Sequence, residues 1–249
     1  MYQEHESFIP PPRQTRIWRY FSTVEKFTSM LEQSGLFFAR GDRFDDPFEG
    51  SLPRLNTETR EQVYRELELS EDEKVLAREI IDTWSMIKRV APKKVAISCW
   101  HMNEVESVAM WRGYGNKGVA LSSTFEGLVA GLQGAADPIH IGVVRYEDYD
   151  RFVMPEWDFF GPLLRKRMPY EYERELRAIV RHFYQEPEQL RRRIEKGISV
   201  AVDLQMLIHA VHLPPGADAR FAELIATLLS DHGLHVPILP SGMDAKPSW

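Results

Sequence analysis

Residues 170–180 of this chain read YEYERELRAIV, an alternation of acids and arginines that runs directly into an apolar segment. In a strand, whose side chains alternate between two faces, the glutamates Glu171, Glu173 and Glu175 lie on one face and the arginine Arg174 lies on the other. Like charges in a row on a sheet repel, which favours a functional reason for the row: stabilisation of a cation that develops during a reaction. The alternative is a solvated helical face on which acids and arginines pair one turn apart.

The composition is that of an ordinary folded chain. Its 249 residues are 43% hydrophobic and 27% charged, which suits one large domain or two small ones with a substantial core. No run of 18 apolar residues is present, and the first residues lack the basic and apolar regions of a secretory signal. The single cysteine, Cys99, excludes an internal disulfide framework and fits a reducing compartment. We therefore expect a cytoplasmic protein that does not associate with membranes.

The order of predicted elements indicates the fold class. Strands are predicted at 17–21, 36–39, 95–100, 118–124, 139–146 and 173–182, with two more near the C-terminus and helices between several of them. This order lacks the regular strand–helix–strand alternation of a doubly wound sheet. We expect one α+β domain at 15–249 with a mixed or antiparallel core sheet. An extended arm at 1–14 precedes it, and a helical insertion lies at about 55–90.

Charge is distributed unevenly along the chain. The net charge of −6 argues against a general nucleic-acid coat protein. Ten basic residues nevertheless gather around the opening segment: Arg165, Lys166, Arg167, Arg174, Arg177, Arg181, Arg191, Arg192, Arg193 and Lys196. A patch of this kind can bind phosphate. The three consecutive arginines alone are typical of a solvated helix end.

The loop at 40–53 contains four acids within eight residues: Asp42, Asp45, Asp46 and Glu49. Their spacing is not that of an EF-hand. One interpretation is a Mg²⁺ or Ca²⁺ loop, which would fit a metal-dependent phosphoesterase. The other is a set of Asx turns made rigid by Pro47, which explains the same residues without a metal. We favour the second interpretation and expect no metal.

Motifs spread along most of the chain resemble those of a bacterial family of domains of unknown function. They are Trp18-Arg19-Tyr20, Phe44-Asp45-Asp46-Pro47-Phe48-Glu49, Ser98-Cys99-Trp100-His101, Glu106-Ser107-x-x-Met110-Trp111-x-x-Tyr114 and Glu173-x-Glu175-x-Arg177. This resemblance implies no particular activity.

A second resemblance rests on three features that lie on predicted strands in chain order. They are Arg19 beside Tyr20, the trio Ser122-Ser123-Thr124, and Glu173-x-Glu175. In this order they resemble the arginine–serine–glutamate class of ADP-ribosyltransferases. The resemblance implies a split core sheet and NAD as the substrate.

This second resemblance also implies a role for each residue. Arg19 would hold phosphate or ribose, and Ser123 with Thr124 would support the nicotinamide end. Glu175 would be the catalytic acid, and Glu173 would handle the acceptor. A carboxylate fixed in this way stabilises the positive charge that builds on the ribose as nicotinamide leaves.

Two details of the pattern leave alternatives open. The trio reads Ser-Ser-Thr where the family has Ser-Thr-Ser, so the hydroxyl that faces the site is open among Ser122, Ser123 and Thr124. Glu171-x-Glu173 fits the acid motif as well as Glu173-x-Glu175 does. Four aromatic side chains are candidates for stacking on nicotinamide or adenine, although such residues also pack in cores: Tyr20, Trp100, Trp111 and Tyr114.

Together these features predict an enzyme that cleaves NAD and transfers ADP-ribose to a protein, a nucleic acid or water, in the context of a toxin or of phage defence. The alternative from another class is a non-catalytic module that senses nucleotides or nucleic acid. The metal-dependent phosphoesterase is a third hypothesis.

Overall fold

The computed structural model describes residues 1–66, 69–155, 158–181 and 195–247. A mixed, mostly antiparallel sheet of nine strands forms the centre of this described part and helices pack against it, which confirms the α+β class. The strands of this sheet are β1 (Arg16–Tyr20), β2 (Gly35–Arg40), β3 (Val95–Met102), β4 (Ala120–Thr124), β5 (Ile139–Val143), β8 (Glu175–Arg181), β9 (Gly197–Ala201), β10 (Ala210–His212) and β11 (Ile238–Leu239). Two further strands, β6 (Arg145–Glu147) and β7 (Arg165–Arg167), form a separate two-stranded sheet. The α-helices are α1 (Val24–Gln33), α2 (Arg54–Glu66), α3 (Glu71–Val90), α4 (Val108–Tyr114), α5 (Phe125–Gly131), α6 (Leu204–Leu207) and α7 (Ala219–Asp231). Each helix in these ranges is too short or too polar to span a bilayer.

The sheet splits beside its central strand, β3. One edge of β3 pairs with β8. On the other edge, β1 pairs with the end of β3, where Trp18 lies opposite His101, and β2 pairs with its start, where Ala39 lies opposite Ile97. The branch that starts with β1 continues through β4, β10 and β11, and the branch that starts with β2 continues into β9. The two branches therefore separate at residues 98–100 and form a fork.

Strand alternation gives this sheet two faces of different character. The first, which we call the core face, carries Ile17 and Trp100 and is covered by α1, α5 and α7. The second, which we call the site face, carries His101 and Glu175 directly opposite each other. It is covered in part by α4 and by residues 159–164.

The N-terminal segment lies along the edge of the sheet. The Gln3 N–H donates to the Ile139 carbonyl at 2.9 Å, and the Ile139 N–H donates to the Met1 carbonyl at 3.0 Å. Phe8 is buried in the cluster formed by residues 159–164 and the site face. The first part of the predicted extended arm is therefore packed on the domain.

The acid-rich segment becomes a strand only at Glu175. Met168–Glu173 form a 3-10 helix, and Arg174 adopts the left-handed conformation with φ of 45°. The prediction of a row of three glutamates on one strand face was wrong, because Pro169 sits in the first turn of this helix and cannot donate to a sheet. The turn still returns Glu173 to the neighbourhood of Glu175.

Helices α2 and α3 lie in the range of the predicted helical insertion. Helix α3 begins at a capping box, in which the Ser70 side chain accepts from the Glu73 N–H and the Glu73 carboxylate accepts from the Ser70 N–H at 2.8 Å. This reciprocal pair satisfies two backbone donors that the first turn leaves free, and it fixes where the helix starts.

Candidate functional site

A cavity of about 500 Å³ opens at the fork of the sheet. It is bounded by β1, α1, β2 and β3, and most of its lining is apolar, with Met30, Phe37 and Phe44 among the walls. The fork creates this space because residues 98–100 of β3 have strands diverging beside them. Its volume is in the range of small-molecule sites.

Two cations line this cavity, Arg19 on β1 and Lys26 on α1, and Lys26 donates to the Ser22 hydroxyl at 2.8 Å. Arg19 is the one that reaches into the fork of the sheet. Its guanidinium crosses the fork and donates to the Ser98 hydroxyl, to the Cys99 carbonyl at 3.3 Å and to the Phe37 carbonyl at 2.9 Å. Within the described ranges, no carboxylate forms an ion pair with Arg19. Burial lowers the pKa of Arg19. The cavity therefore offers a fixed positive charge to an anion.

Tyr114, the last residue of α4, lines the cavity and is close enough to a group of buried acids for their charges to act on it. Its phenol lines the cavity together with Tyr20, whose ring lies 5.8 Å from that of Tyr114. Burial raises the pKa of Tyr114 to about 12, and the charges of Arg19 and Glu175 both act on it. Tyr20 is fixed because its hydroxyl accepts from the Ser107 N–H at 2.9 Å.

These acids belong to a buried ion network, formed by Glu49, Lys166, Glu173, Glu175 and Arg177. Arg177 is fully buried and binds Glu49 through two N–H groups, at 2.9 and 2.8 Å. Its Nε donates to Glu175 at 2.6 Å. The Lys166 ammonium lies 2.5 Å from Glu173 and 3.3 Å from both Glu175 and Glu49. Each acid is thus held by at least one cation.

This network contains three carboxylates and two cations, so one negative charge is left over when every acid is ionised. Glu173 is the carboxylate that gives up this surplus negative charge most readily, by taking up a proton. Burial raises the pKa of Glu173 to about 7, and the charge of Glu175 acts in the same direction. Burial alone would raise the pKa of Glu175 too, but Arg177 and Lys166 outweigh it and lower that pKa to about 2. Two neighbouring acids with separated pKa values are typical of acid–base sites.

The local chain positions both glutamates. Glu175 starts β8, and its N–H donates to the Tyr146 hydroxyl at 2.8 Å. The left-handed Arg174 reverses the chain so that Glu173 points back toward the network. His101 Nδ1 lies 2.8 Å from the Glu173 carbonyl, which fixes the turn from the side of β3. Burial lowers the pKa of His101, so its ring is neutral at pH 7 and Nδ1 carries the proton.

The predicted hydroxyl trio does not join this group. Ser123 pairs with Ile17 on the core face, whereas Glu175 lies on the site face. Ser122 shares the site face, but β1 and β3 separate it from Glu175, so their Cα atoms are about 14 Å apart. The Ser122 hydroxyl lies 3.0 Å from His212 Nε2, and the Thr124 hydroxyl caps α5 by accepting from the Gly127 N–H at 3.0 Å. These contacts are structural.

Two of the four predicted stacking residues are core residues. Trp100 is buried on the core face. Trp111 is a buried residue of α4, and its Nε1 donates to Glu106 at 2.6 Å. Only Tyr20 and Tyr114 reach the cavity. The structure therefore places Arg19, Tyr20 and Tyr114 at the cavity, whereas Glu173 and Glu175 lie outside its lining. Arg19, two residues from Ile17, leaves β1 on the core face and reaches the fork from there, and Glu175 lies on the site face.

The acidic loop pairs with cations of the same chain. Asp42 pairs with Arg40, and Asp46 accepts from Arg167 at 2.8 Å and from the Phe48 N–H at 3.1 Å. Glu49 belongs to the buried ion network, and Asp45 is exposed. No group of three or more acid, histidine or cysteine side chains suited to a metal occurs among the residues that the structure describes. The geometry gives the phosphoesterase hypothesis no support.

The basic stretch does not form one exposed patch within the described residues. Lys166 and Arg177 are buried in the ion network, Arg167 pairs with Asp46, and Arg165 donates to the Gly161 carbonyl at 3.0 Å. The three arginines at 191–193 lie outside the described residues.

The sequence analysis named Glu49 as a residue of the acidic loop and Lys166 as part of the basic stretch, but it did not place either of them, or His101, beside Glu173 and Glu175. Motifs containing Glu49 and His101 were visible in the sequence, but their convergence was not. Comparison of the chain with protein-family models, with curated proteins and with solved structures gives no match.

Proposed function

We propose that this chain cleaves the bond between nicotinamide and ribose in NAD and transfers ADP-ribose to a macromolecule or to water, as an enzyme of the ADP-ribosyltransferase type. The observation that carries the proposal is the surplus acid of the buried ion network, Glu173, together with a cavity at which Arg19 has no carboxylate partner among the described residues; the charges of both act on Tyr114. This assignment moves the reacting carboxylate from Glu175 to Glu173.

The electrostatics of the network support this role for Glu173. Both Glu175 oxygens are bound by cations, so Glu175 is neutralised and held rigid. Glu173 is bound by a cation through one oxygen only, and its side chain keeps 15% of its surface exposed. When Glu173 is ionised, the network has a net charge of −1. That charge is balanced only when a cation forms nearby, so it stabilises the transition state more than the ground state.

The reaction follows from this charge. The C–N bond to the ribose breaks and its electron pair stays with nicotinamide, which leaves as a neutral molecule. The positive charge that develops on the ribose lies near Glu173. An acceptor hydroxyl or water then attacks the ribose carbon and gives its proton to Glu173, which returns it to solvent.

The cavity supplies the binding side of the proposal. Arg19 offers charged donors to the pyrophosphate in a space without a competing acid among the described residues. The apolar walls accept the rings, and Tyr114, on which the charges of Arg19 and Glu173 both act, offers a ring for stacking.

The test is to incubate the purified protein with NAD and to measure nicotinamide release by chromatography, alone and with protein or RNA acceptors. We expect release above that of a heat-denatured control. A protein that neither binds NAD nor releases nicotinamide with any of these acceptors would overturn the proposal.

A further inference from the structure

Helix α3 turns an apolar side toward solvent. Six large apolar residues of this 20-residue helix are exposed by 36% to 61%: Val75, Leu76, Ile80, Met86, Ile87 and Val90. With 3.6 residues per turn, they fall within an arc of about 140°. The opposite side is half-buried, at Lys74, Ala77, Ile81 and Ser85.

This arrangement is the reverse of an ordinary surface helix, which buries its apolar stripe. Scattered exposed apolar residues need no explanation, but a continuous stripe on one helix marks an interaction surface. The stripe spans 16 residues from Val75 to Val90, or about 24 Å at 1.5 Å per residue.

Charge at the two ends of the helix indicates what covers the stripe. The first turn is acidic, with Glu71, Asp72 and Glu73, and the 3-10 turn that follows the helix carries Lys93 and Lys94. Asp72 lies within the arc of the stripe, and both Asp72 and Lys93 are exposed. A partner helix in antiparallel orientation with the same sequence would set acid against base at both ends.

We propose that α3 binds α3 of a second copy of this chain about a two-fold axis near Thr83. In this register Val75 of one copy packs against Val90 of the other, and Asp72 pairs with Lys93 at each end. The contact is self-complementary, as closed dimers require. A membrane surface is a poorer occupant, because Asp72 lies within the apolar arc and the first turn is acidic, where a lipid-binding helix has apolar or basic residues. Glu79 also lies within the arc, opposite Met86 of the partner in this register, and opposes burial by either occupant.

Sedimentation equilibrium of the full chain tests the proposal. We expect wild-type protein to be a dimer and the Ile80→Glu/Ile87→Glu variant to be monomeric, with a dissociation constant raised at least about 100-fold because four charges enter an apolar contact. Both positions are exposed, so folding is preserved, and a thermal melt checks this. The matched control is Val105→Glu/Val153→Glu, two exposed apolar residues outside α3, which stays dimeric.

A charge exchange tests the orientation. Asp72→Lys is expected to weaken the dimer by roughly ten-fold, and Asp72→Lys/Lys93→Asp to restore it. An exchange that does not restore the dimer overturns the antiparallel contact. A wild-type protein that stays monomeric overturns the proposal. A dimer whose dissociation constant is the same in wild-type protein and in Ile80→Glu/Ile87→Glu overturns it as well. Cosedimentation of a monomer with phosphatidylcholine–phosphatidylserine vesicles would assign the stripe to lipid instead.

Discussion

Glu173→Gln is expected to lower the rate of NAD cleavage by roughly 10²- to 10⁴-fold, the range typical of removing an acid–base group. Glutamine keeps the size of the side chain but removes the surplus charge of the buried ion network and the proton acceptor. The measurement is nicotinamide release at saturating NAD, with NAD binding measured in parallel to separate chemistry from affinity.

The matched control is Glu171→Gln, which removes a carboxylate two residues away on an exposed side chain. This variant is expected to keep the wild-type rate. Thermal melts of both variants exclude unfolding as the cause. Cleavage by Glu173→Gln at the wild-type rate would remove Glu173 from the reaction.

The same carboxylate sets the expected pH dependence. Because burial and the charge of Glu175 raise the pKa of Glu173 to about 7, the ionised form that the reaction needs is lost below neutrality. For wild-type protein, kcat/KM is expected to fall about ten-fold per pH unit below pH 7 and to be constant above it. Residual activity of Glu173→Gln is expected to lack this step. A wild-type profile that stays level from pH 8 to pH 5 would contradict the assignment.

Arg177→Met is expected to destabilise the fold by about 3–5 kcal/mol, because it leaves two buried carboxylates without their main cation. Arg177 is fully buried and holds both Glu49 and Glu175. For a chain of this size the loss corresponds to a decrease in Tm of roughly 6–20 °C. Differential scanning calorimetry at pH 7 measures it.

Arg151→Met provides the comparison. Arg151 also pairs with an acid, Asp148, but its side chain is 88% exposed. An exposed pair contributes about 0–1 kcal/mol, so its loss should change Tm by no more than about 4 °C. Equal decreases in Tm for Arg177→Met and Arg151→Met would mean that burial of the ion network adds nothing to the stability of the fold.

Sequence reasoning succeeded where the information is local. The lack of a strand–helix alternation predicted an α+β fold, and the sheet confirms it. The alternating charges at 170–180 predicted a strand, which begins at Glu175 and not earlier. A single left-handed residue, Arg174, decides that boundary, and the charge pattern gives no sign of it.

The site depends on contacts that are distant in sequence. Glu49 and Arg177 are 128 residues apart and form a bidentate pair that no spacing rule reveals. Ser123 was placed in the site because its strand was predicted correctly, but the pairing of that strand with β1 turns its side chain to the core face. Register between distant strands is set by packing of the whole sheet, so the sequence motif alone could not assign the face.

The most direct test of the account is equilibrium binding of NAD to Glu173→Gln protein, which holds the substrate without consuming it, compared with the same protein carrying Arg19→Gln. Calorimetry is expected to give one NAD per chain. Because Arg19 reaches the fork at the cavity and has no acid partner in the described ranges, its loss should weaken binding roughly ten- to 100-fold, with Lys26 left as the second cation of the lining. Arg16→Gln, on the same strand but outside the cavity lining, should leave the affinity unchanged. Absence of NAD binding, or equal affinity with and without Arg19, would contradict the account.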